Sequence, residues 1–139
     1  LRGIVGSEMC IRDRGSIQNS FKTPLGMHEI RTKIGHDAKE NTIFVARANT
    51  NKSAKIIKDV IDTEDDHVTS RILWLDGLEL GRNKGEGIDS YNRYIYIHGT
   101  HEEGLIGQKA SHGCIRMFNN DVIDLFERVQ EGTYVLIKA

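Results

Sequence analysis

The chain has 139 residues, with 19 basic and 20 acidic side chains, a formal net charge of −1 and 38% hydrophobic residues. This length is enough for one domain with its own apolar core, and the balanced charge excludes the basic surface expected of a nucleic-acid-binding protein. No run of about 18 apolar residues is present, so the sequence contains no membrane-spanning helix. Two cysteines, Cys10 and Cys114, are too few for a disulfide scaffold.

The first half of the chain favours β structure. Residues 23–26, TPLG, combine proline and glycine in a turn that precedes a strand. Residues 42–47 (TIFVAR) and 68–75 (VTSRILWL) are rich in β-branched and aromatic side chains and predict two strands. The second strand is expected to end at the turn dipeptide Asp76-Gly77. Residues 80–90, rich in glycine and charge, are expected to form a loop.

The second half contains the clearest helix. Residues 93–98 alternate, with tyrosines on one face and isoleucines on the other, and this predicted strand brings His98 to its end. Asn119 or Asn120 is expected to cap a helix that runs to about residue 129. Its apolar residues have helical spacing: Val122, Leu125, Phe126 and Val129. Residues 134–137 predict a last strand, so the fold class is mainly β with one or two helices.

The segment 111–116, SHGCIR, carries the densest chemistry in the chain. A thiol attacks as a thiolate, so a reactive Cys114 needs an imidazole, a cation or a helix N-terminus to ionise it. The candidate groups are His98, His112 and Arg116. Gly113 permits a sharp turn that leaves its own N–H and that of Cys114 free to form an oxyanion hole.

His98 is the better general base, because the end of a strand is a rigid mount for a catalytic group. The carbonyl of Gly99 or the hydroxyl of Thr100 can fix the tautomer of its ring. His112 then has a supporting role. We therefore predict that Cys114 is the nucleophile and is held ionised by His98.

Plainer interpretations compete with this one. A single cysteine is more often a buried structural residue than a nucleophile. Zinc is a second alternative, since four side chains have suitable ligand types: His98, His101, His112 and Cys114. Their spacing matches no recurrent zinc pattern, so no metal or other cofactor is predicted. The remaining histidines are expected on the surface or in turns: His28, His36 and His67.

The motif IHGT at 97–100, followed by SHGCIRM at 111–117 and then an asparagine, resembles the signature of the L,D-transpeptidase (YkuD-type) family. Residues 19–26 (NSFKTPLG) and 71–85 (RILWLDGLELGRNKG) are also similar to that family's domain. The resemblance covers roughly residues 15–137. It implies an L,D-transpeptidase-type β-sandwich, located in the cell envelope or periplasm, that acts on peptidoglycan stem peptides.

The resemblance also implies a mechanism. Cys114 would be acylated by a tetrapeptide stem with loss of D-alanine, and a diaminopimelate amine would then accept the acyl group. His98 would serve as proton donor and acceptor, and carbapenem-type inhibitors are expected to bind. Arg116 would meet a substrate carboxylate, and Asn119 would form hydrogen bonds in the site. The other expected substrate-binding residues are Gly99, Thr100 and Ser111.

Several functions fit the same residues. The acyl group could pass to water (an L,D-carboxypeptidase) or to a lipoprotein lysine. From other classes, the chain could be a non-catalytic peptidoglycan-binding module or a zinc-dependent hydrolase. Residues 1–14 (LRGIVGSEMCIRDR) do not read as a strand and resemble translated adapter sequence, so a non-native leader is expected there. Residues 15–139 would then form the catalytic domain, N-terminally truncated and missing its first strands.

Overall fold

A computed structural model of the chain describes residues 22–108 and 113–138. In chain order the elements are β1 Gly26–Ile34, β2 Thr42–Val45, β3 Ala48–Ser53, β4 Val68–Gly77, β5 Tyr96–Gly99, β6 Ile115–Met117, α1 Asn119–Arg128 and β7 Tyr134–Ile137. A short 3-10 helix, Glu103–Leu105, lies between β5 and β6. The prediction of a mainly β fold with a helix near the C-terminus is confirmed.

Strand β4 is the centre of the sheet. It pairs antiparallel with β1, β2 and β5, while β3 extends the sheet beyond β2 and β7 extends it beyond β1. Strand β6 pairs with β5 in parallel, placing Ile97 beside Ile115 and His98 beside Arg116. This parallel pair positions the two segments that carry the predicted nucleophile and base.

The sheet has an apolar cluster on each face. On one face, Leu73, Ile97 and Ile115 pack with helix α1, whose predicted apolar stripe is buried at Val122, Leu125, Phe126 and Val129. Burial of each such side chain stabilises the fold by about 1.5–3 kcal/mol. Side chains alternate along a strand, so the neighbouring residues face the other way. There the second cluster joins Phe44, Ile72 and Tyr96, with Cys114 packed against it.

The β2–β3 hairpin differs from the sequence prediction. Strand β2 ends at Val45 rather than residue 47, because Ala46 and Arg47 adopt φ angles of 47° and 67° and form a two-residue turn. Val45 pairs with Ala48 across this turn. Strand β3 (ANTNKS) was not predicted, since its polar sequence has no apolar alternation and pairing with β2 makes it a strand.

Other boundaries also differ. Asp76 and Gly77 stay in β4 because β1 continues beside them, so the predicted turn there is wrong. Tyr94 adopts a φ of 56°, and β5 therefore begins at Tyr96 rather than at residue 93. The N-cap of α1 is Phe118, without a side-chain cap, so neither asparagine caps the helix.

His28 corrects a further expectation, because it is completely buried in β1 rather than on the surface. Its Nδ1 lies 3.0 Å from the carbonyl of Gly26 and its Nε2 lies 2.8 Å from the hydroxyl of Ser90. A carbonyl accepts only, so Nδ1 carries the proton and Nε2 accepts from Ser90. Burial lowers the pKa of His28, which is thus a neutral histidine of the interior. None of the described helices is long and apolar enough to cross a membrane.

Candidate active site

The candidate site lies where β5 and β6 run side by side. Tyr96 and His98 point to the same face of β5, and Cys114, just before β6, packs on that face against Tyr96. In the parallel register Cys114 lies beside Tyr96, which makes it a diagonal neighbour of His98. In a regular sheet, diagonal Cα atoms are roughly 8 Å apart, within reach of a long side chain.

His98 is an interior histidine with a fixed tautomer. Its side chain is 1% exposed, and its Nδ1 lies 2.5 Å from the carbonyl oxygen of Gly99. Because the carbonyl can only accept, Nδ1 holds the proton and Nε2 keeps its lone pair. Burial lowers the pKa of His98, so the ring is neutral at pH 7. A neutral imidazole with a free Nε2 is the form that a general base requires.

The thiol of Cys114 is held by main-chain groups of β5 and the turn before it. In the described part of the chain, Sγ donates to the carbonyl of Tyr94 and accepts from the N–H of Tyr96, both at 3.3 Å, rather than bonding to His98. Burial raises the pKa of Cys114 to about 12, although the N–H of Tyr96 opposes this. The expectation of a thiol held ionised is therefore wrong for this conformation, because the surrounding groups desolvate the sulfur.

The backbone before the cysteine turns as the sequence predicted. Gly113 is buried with φ of 107°, and an added Cβ would lie 3.2 Å from the carbonyl of Lys22. This conformation and this close approach both favour glycine. An oxyanion hole formed by Gly113 and Cys114 stays a prediction. The predicted roles of Ser111 and His112 fall on residues outside those that the structure describes.

Arg116 lies beside His98 in the β5–β6 pair and is buried in the protein interior. It is 0% exposed, and its Nη1 donates to Glu102 at 2.7 Å and to Asp66 at 3.1 Å. Removing either carboxylate would leave a buried charge with less compensation. The predicted contact of Arg116 with a substrate carboxylate stays a prediction, and the described partners give Arg116 a structural role.

Asn119 forms four side-chain hydrogen bonds within the protein. Its Oδ1 accepts from Thr69 at 2.5 Å and from Ser70 at 2.6 Å. Its Nδ2 donates to the carbonyl of Thr100 and to Glu103, both at 2.8 Å. An amide has two donors and two acceptor lone pairs, so its capacity is fully used. This placement supports a positioning role for Asn119 rather than the predicted contact with substrate.

Gly99 and Thr100 also serve the interior of the site. An added Cβ at Gly99 would collide with the side chain of Asn119 and lie 2.7 Å from the carbonyl of Thr69. The hydroxyl of Thr100 accepts from the N–H of Glu102 at 3.1 Å. Of the two groups expected to fix the tautomer of His98, the carbonyl of Gly99 does so.

Sequence reasoning missed a group of aromatic and cationic side chains beside Cys114. Trp74 stacks on Tyr91, with ring centroids 4.2 Å apart and planes inclined by 10°. The guanidinium carbon of Arg47 lies 5.1 Å from the ring of Trp74 and 5.0 Å from that of Tyr94. Arg47 was assigned to a strand, and its turn lacks the glycine, asparagine or aspartate that would have marked it.

The zinc alternative rested partly on His101. This residue is buried, its Nε2 lies 3.0 Å from the hydroxyl of Thr63, and its ring packs against His67. Within residues 22–108 and 113–138, no three side chains of metal-binding type are grouped to hold an ion.

The sequence matches the family model described as the L,D-transpeptidase catalytic domain over residues 3–137. Two relatives come from Bacillus subtilis. The putative L,D-transpeptidase YqjB is 51% identical over 45 residues, which are 32% of this chain and 26% of that protein. The putative L,D-transpeptidase YkuD is 43% identical over 61 residues, which are 40% of this chain and 37% of that protein. The matched segments thus span well under half the length of these relatives.

Two solved structures share the fold. An L,D-transpeptidase from Mycobacterium smegmatis aligns with a TM-score of 0.54 at 17% identity, over 96% of this chain and 48% of that one. L,D-transpeptidase 3 from Mycobacterium tuberculosis, in complex with a faropenem-derived adduct, aligns with a TM-score of 0.53 at 12% identity, over 96% and 44%. Since the family model covers nearly the whole sequence and the folds agree, the chain belongs to the L,D-transpeptidase catalytic-domain family, a family of transferases.

Proposed function

We propose that this protein is a peptidoglycan L,D-transpeptidase, with Cys114 as nucleophile and His98 as proton donor and acceptor. The observation that carries the proposal is the parallel β5–β6 pair, which brings a partly exposed cysteine and a buried, neutral histidine to one face of the sheet. The family match supports the same chemistry, because its members are named for this reaction.

In the first half-reaction, Sγ of Cys114 attacks the carbonyl carbon between diaminopimelate and the terminal D-alanine of a tetrapeptide stem. The thiol is protonated at rest, so its proton passes to Nε2 of His98 as the S–C bond forms. The tetrahedral intermediate expels D-alanine, whose nitrogen takes that proton, and a thioester remains. The N–H groups of Gly113 and Cys114 are the proposed donors to the oxyanion.

In the second half-reaction, the side-chain amine of a neighbouring diaminopimelate attacks the thioester carbonyl. The amine gives a proton to Nε2 of His98, the S–C bond breaks, and Sγ recovers the proton. One amide bond is broken and one is formed, so no oxidant, reductant or external energy source is needed. Splitting the exchange into two steps around one thiol lowers the barrier of each.

Before attack, the thiol has to leave the carbonyl of Tyr94 and turn toward His98. We infer that a rotation of the short Cys114 side chain brings this about, because the register of β5 and β6 makes the two residues diagonal neighbours. Substrate that covers the site would strengthen the interactions between the thiol, the imidazole and the oxyanion donors. The cell envelope is the proposed location, because peptidoglycan stems are found there.

Mass spectrometry after incubation with faropenem or a carbapenem tests the proposal. The expected result is one covalent adduct that maps to the peptide containing Cys114 and is absent from the Cys114→Ser variant. The chain supplies its own control, because the Cys10→Ser variant should keep the adduct. An adduct at Cys10, or none on folded protein, would contradict the assignment of Cys114.

A second variant tests the base. His98→Gln should slow acylation of Cys114 at pH 7 by at least about 100-fold, the usual contribution of a general base. Alkylation by iodoacetamide at pH 10 should change little, because hydroxide then removes the proton. If both reactions slow equally, His98 supports the structure of the site and is not its base.

A further inference from the structure

An aromatic cluster with an arginine borders Cys114, and the reaction as proposed does not use it. The Arg47 cluster consists of Arg47, Trp74, Tyr91 and Tyr94. Arg47 lies over the rings of Trp74 and Tyr94, and its Nη1 donates to the hydroxyl of Tyr96 at 3.0 Å. The side chain of Tyr94 is well exposed and that of Arg47 partly exposed, so the cluster faces solvent.

The Arg47 cluster is directly connected to the thiol. Tyr94 contacts Arg47 with its ring and accepts from Sγ of Cys114 with its carbonyl. Tyr96 binds Arg47 with its hydroxyl and donates to the same sulfur with its N–H. The same two tyrosines therefore contact both the guanidinium of Arg47 and the sulfur of Cys114.

Arg47 has no acidic partner among the described residues, in contrast to two other arginines of this region. Arg31 pairs with Asp76, and Arg116 pairs with Glu102 and Asp66. An arginine has five N–H donors, and within the part of the chain that the structure describes one hydrogen bond of Arg47 is formed, to Tyr96. The remaining donors form a planar fork that matches a carboxylate.

The turn that carries Arg47 is held in a costly conformation. Ala46 and Arg47 both have positive φ, as in a type I′ hairpin turn, which normally uses asparagine and glycine. Such backbone conformations are strained for residues other than glycine and are concentrated at functional sites. Glycine at residue 47 would relieve the strain but would remove the guanidinium from the aromatic rings.

We propose that Arg47 binds the terminal carboxylate of the acyl-donor peptide and thereby selects donors that end in a free acid. In a stem tetrapeptide this carboxylate belongs to the leaving D-alanine and lies one residue beyond the attacked carbonyl. Trp74 and Tyr94 hold the guanidinium in place through cation–π contacts. The inference rests on the proposed function and adds the residue that recognises the charge of the donor.

Two donors and two variants test this role in the full chain. The donors are a stem tetrapeptide and the same peptide with its terminal carboxylate amidated, and the measured quantity is kcat/KM for release of the last residue. Wild type should prefer the acid. Arg47→Gln should reduce kcat/KM for the acid by about 10- to 100-fold, the usual effect of losing a charge-assisted hydrogen bond. It should reduce kcat/KM for the amide much less, and Arg47→Lys should keep part of the preference.

Controls separate recognition from structure. Arg128→Gln removes an exposed arginine that pairs with Asp124 on α1, and it should keep the full preference for the acid. Ala46→Gly relaxes the turn and keeps Arg47, so it should also keep the preference. The rate of alkylation of Cys114 by iodoacetamide, which is uncharged, should be the same in all of these variants.

The possible results distinguish this inference from the proposed function. If wild type forms the acyl-enzyme and Arg47→Gln keeps the preference for the acid, the role of Arg47 is overturned and the transpeptidase assignment stands. If Arg47→Gln slows acid, amide and alkylation alike, Arg47 supports the structure of the site and the inference is also overturned. If wild type accepts neither donor and forms no β-lactam adduct, the proposed function fails and the inference fails with it.

Discussion

Replacing Asn119 by alanine should destabilise the fold rather than weaken substrate binding. The amide of Asn119 joins four groups from three parts of the chain: the hydroxyls of Thr69 and Ser70, the carbonyl of Thr100 and the carboxylate of Glu103. Asn119 is 2% exposed, so water does not replace these bonds without rearrangement.

The expected loss follows from the groups left without a partner. A buried polar group that loses its hydrogen bond costs about 1–3 kcal/mol. Glu103 keeps Lys58 and the main-chain N–H of Asn119 as partners, and Ser70 keeps the N–H of Asn41. The hydroxyl of Thr69 and the carbonyl of Thr100 lose their hydrogen bonds to the amide without a comparable replacement. Asn119→Ala should therefore reduce the free energy of unfolding by about 2–4 kcal/mol. Asn119→Asp should cost more, because it places a second carboxylate beside Glu103.

Urea unfolding followed by tryptophan fluorescence measures this change, and the adjacent Asn120, which is exposed, provides the matched control. Asn120→Ala should change the free energy of unfolding by no more than about 0.5 kcal/mol. At a temperature where Asn119→Ala is folded, its KM for the donor peptide should stay close to that of wild type. A stable Asn119→Ala protein with a strongly raised KM would refute the positioning role and restore the predicted contact with substrate.

Three further predictions concern Cys114, His98 and Gly99. Because the pKa of Cys114 is about 12, its rate of alkylation by iodoacetamide should rise about tenfold per pH unit from pH 7 to 10; a plateau near pH 9 would contradict a raised pKa. Acylation by faropenem needs neutral His98, whose pKa is lowered, so activity should be retained on acidification to pH 6.5 and fall only below it. Gly99→Ala should reduce the free energy of unfolding by about 1–3 kcal/mol in the same urea assay, since its Cβ meets the main chain of Thr69; unchanged stability would mean that β4 and β5 can separate at little cost.

The parts of the fold that were predictable are those in which local pattern and tertiary packing agree. Helix α1 has clear apolar periodicity, β7 is a short apolar run, and both lie where the sequence predicted them. Strand β3 could not be predicted, because its residues are polar and show no apolar pattern. It is extended because it pairs with β2. The turn at Ala46 could not be predicted either. The register of β2 and β3 imposes a backbone conformation that alanine and arginine do not prefer.

In the candidate site, the proposed reactive residues could be selected from the sequence, but their surroundings could not be predicted from it. His98 and Cys114 are recognisable by residue type, motif and position near a strand. Their protonation states depend on burial, which no local pattern reveals: desolvation by the surrounding groups raises the pKa of the thiol. The side-chain partners of Asn119 lie 16 to 50 residues away in the chain, so its four hydrogen bonds could not be predicted from the local sequence either.

The parallel contact between β5 and β6 has a consequence for folding. Antiparallel neighbours joined by a two-residue turn, such as β2 and β3, can form a hairpin within about 1–10 microseconds. Parallel neighbours can pair only after the chain between them has looped back. The conformational entropy of that loop is lost before any pairing between the strands compensates for it. Cys114 and His98 should therefore come together late, after β5 has paired with β4. Hydrogen exchange during refolding should accordingly protect amides of β4 and β5 before those of β6.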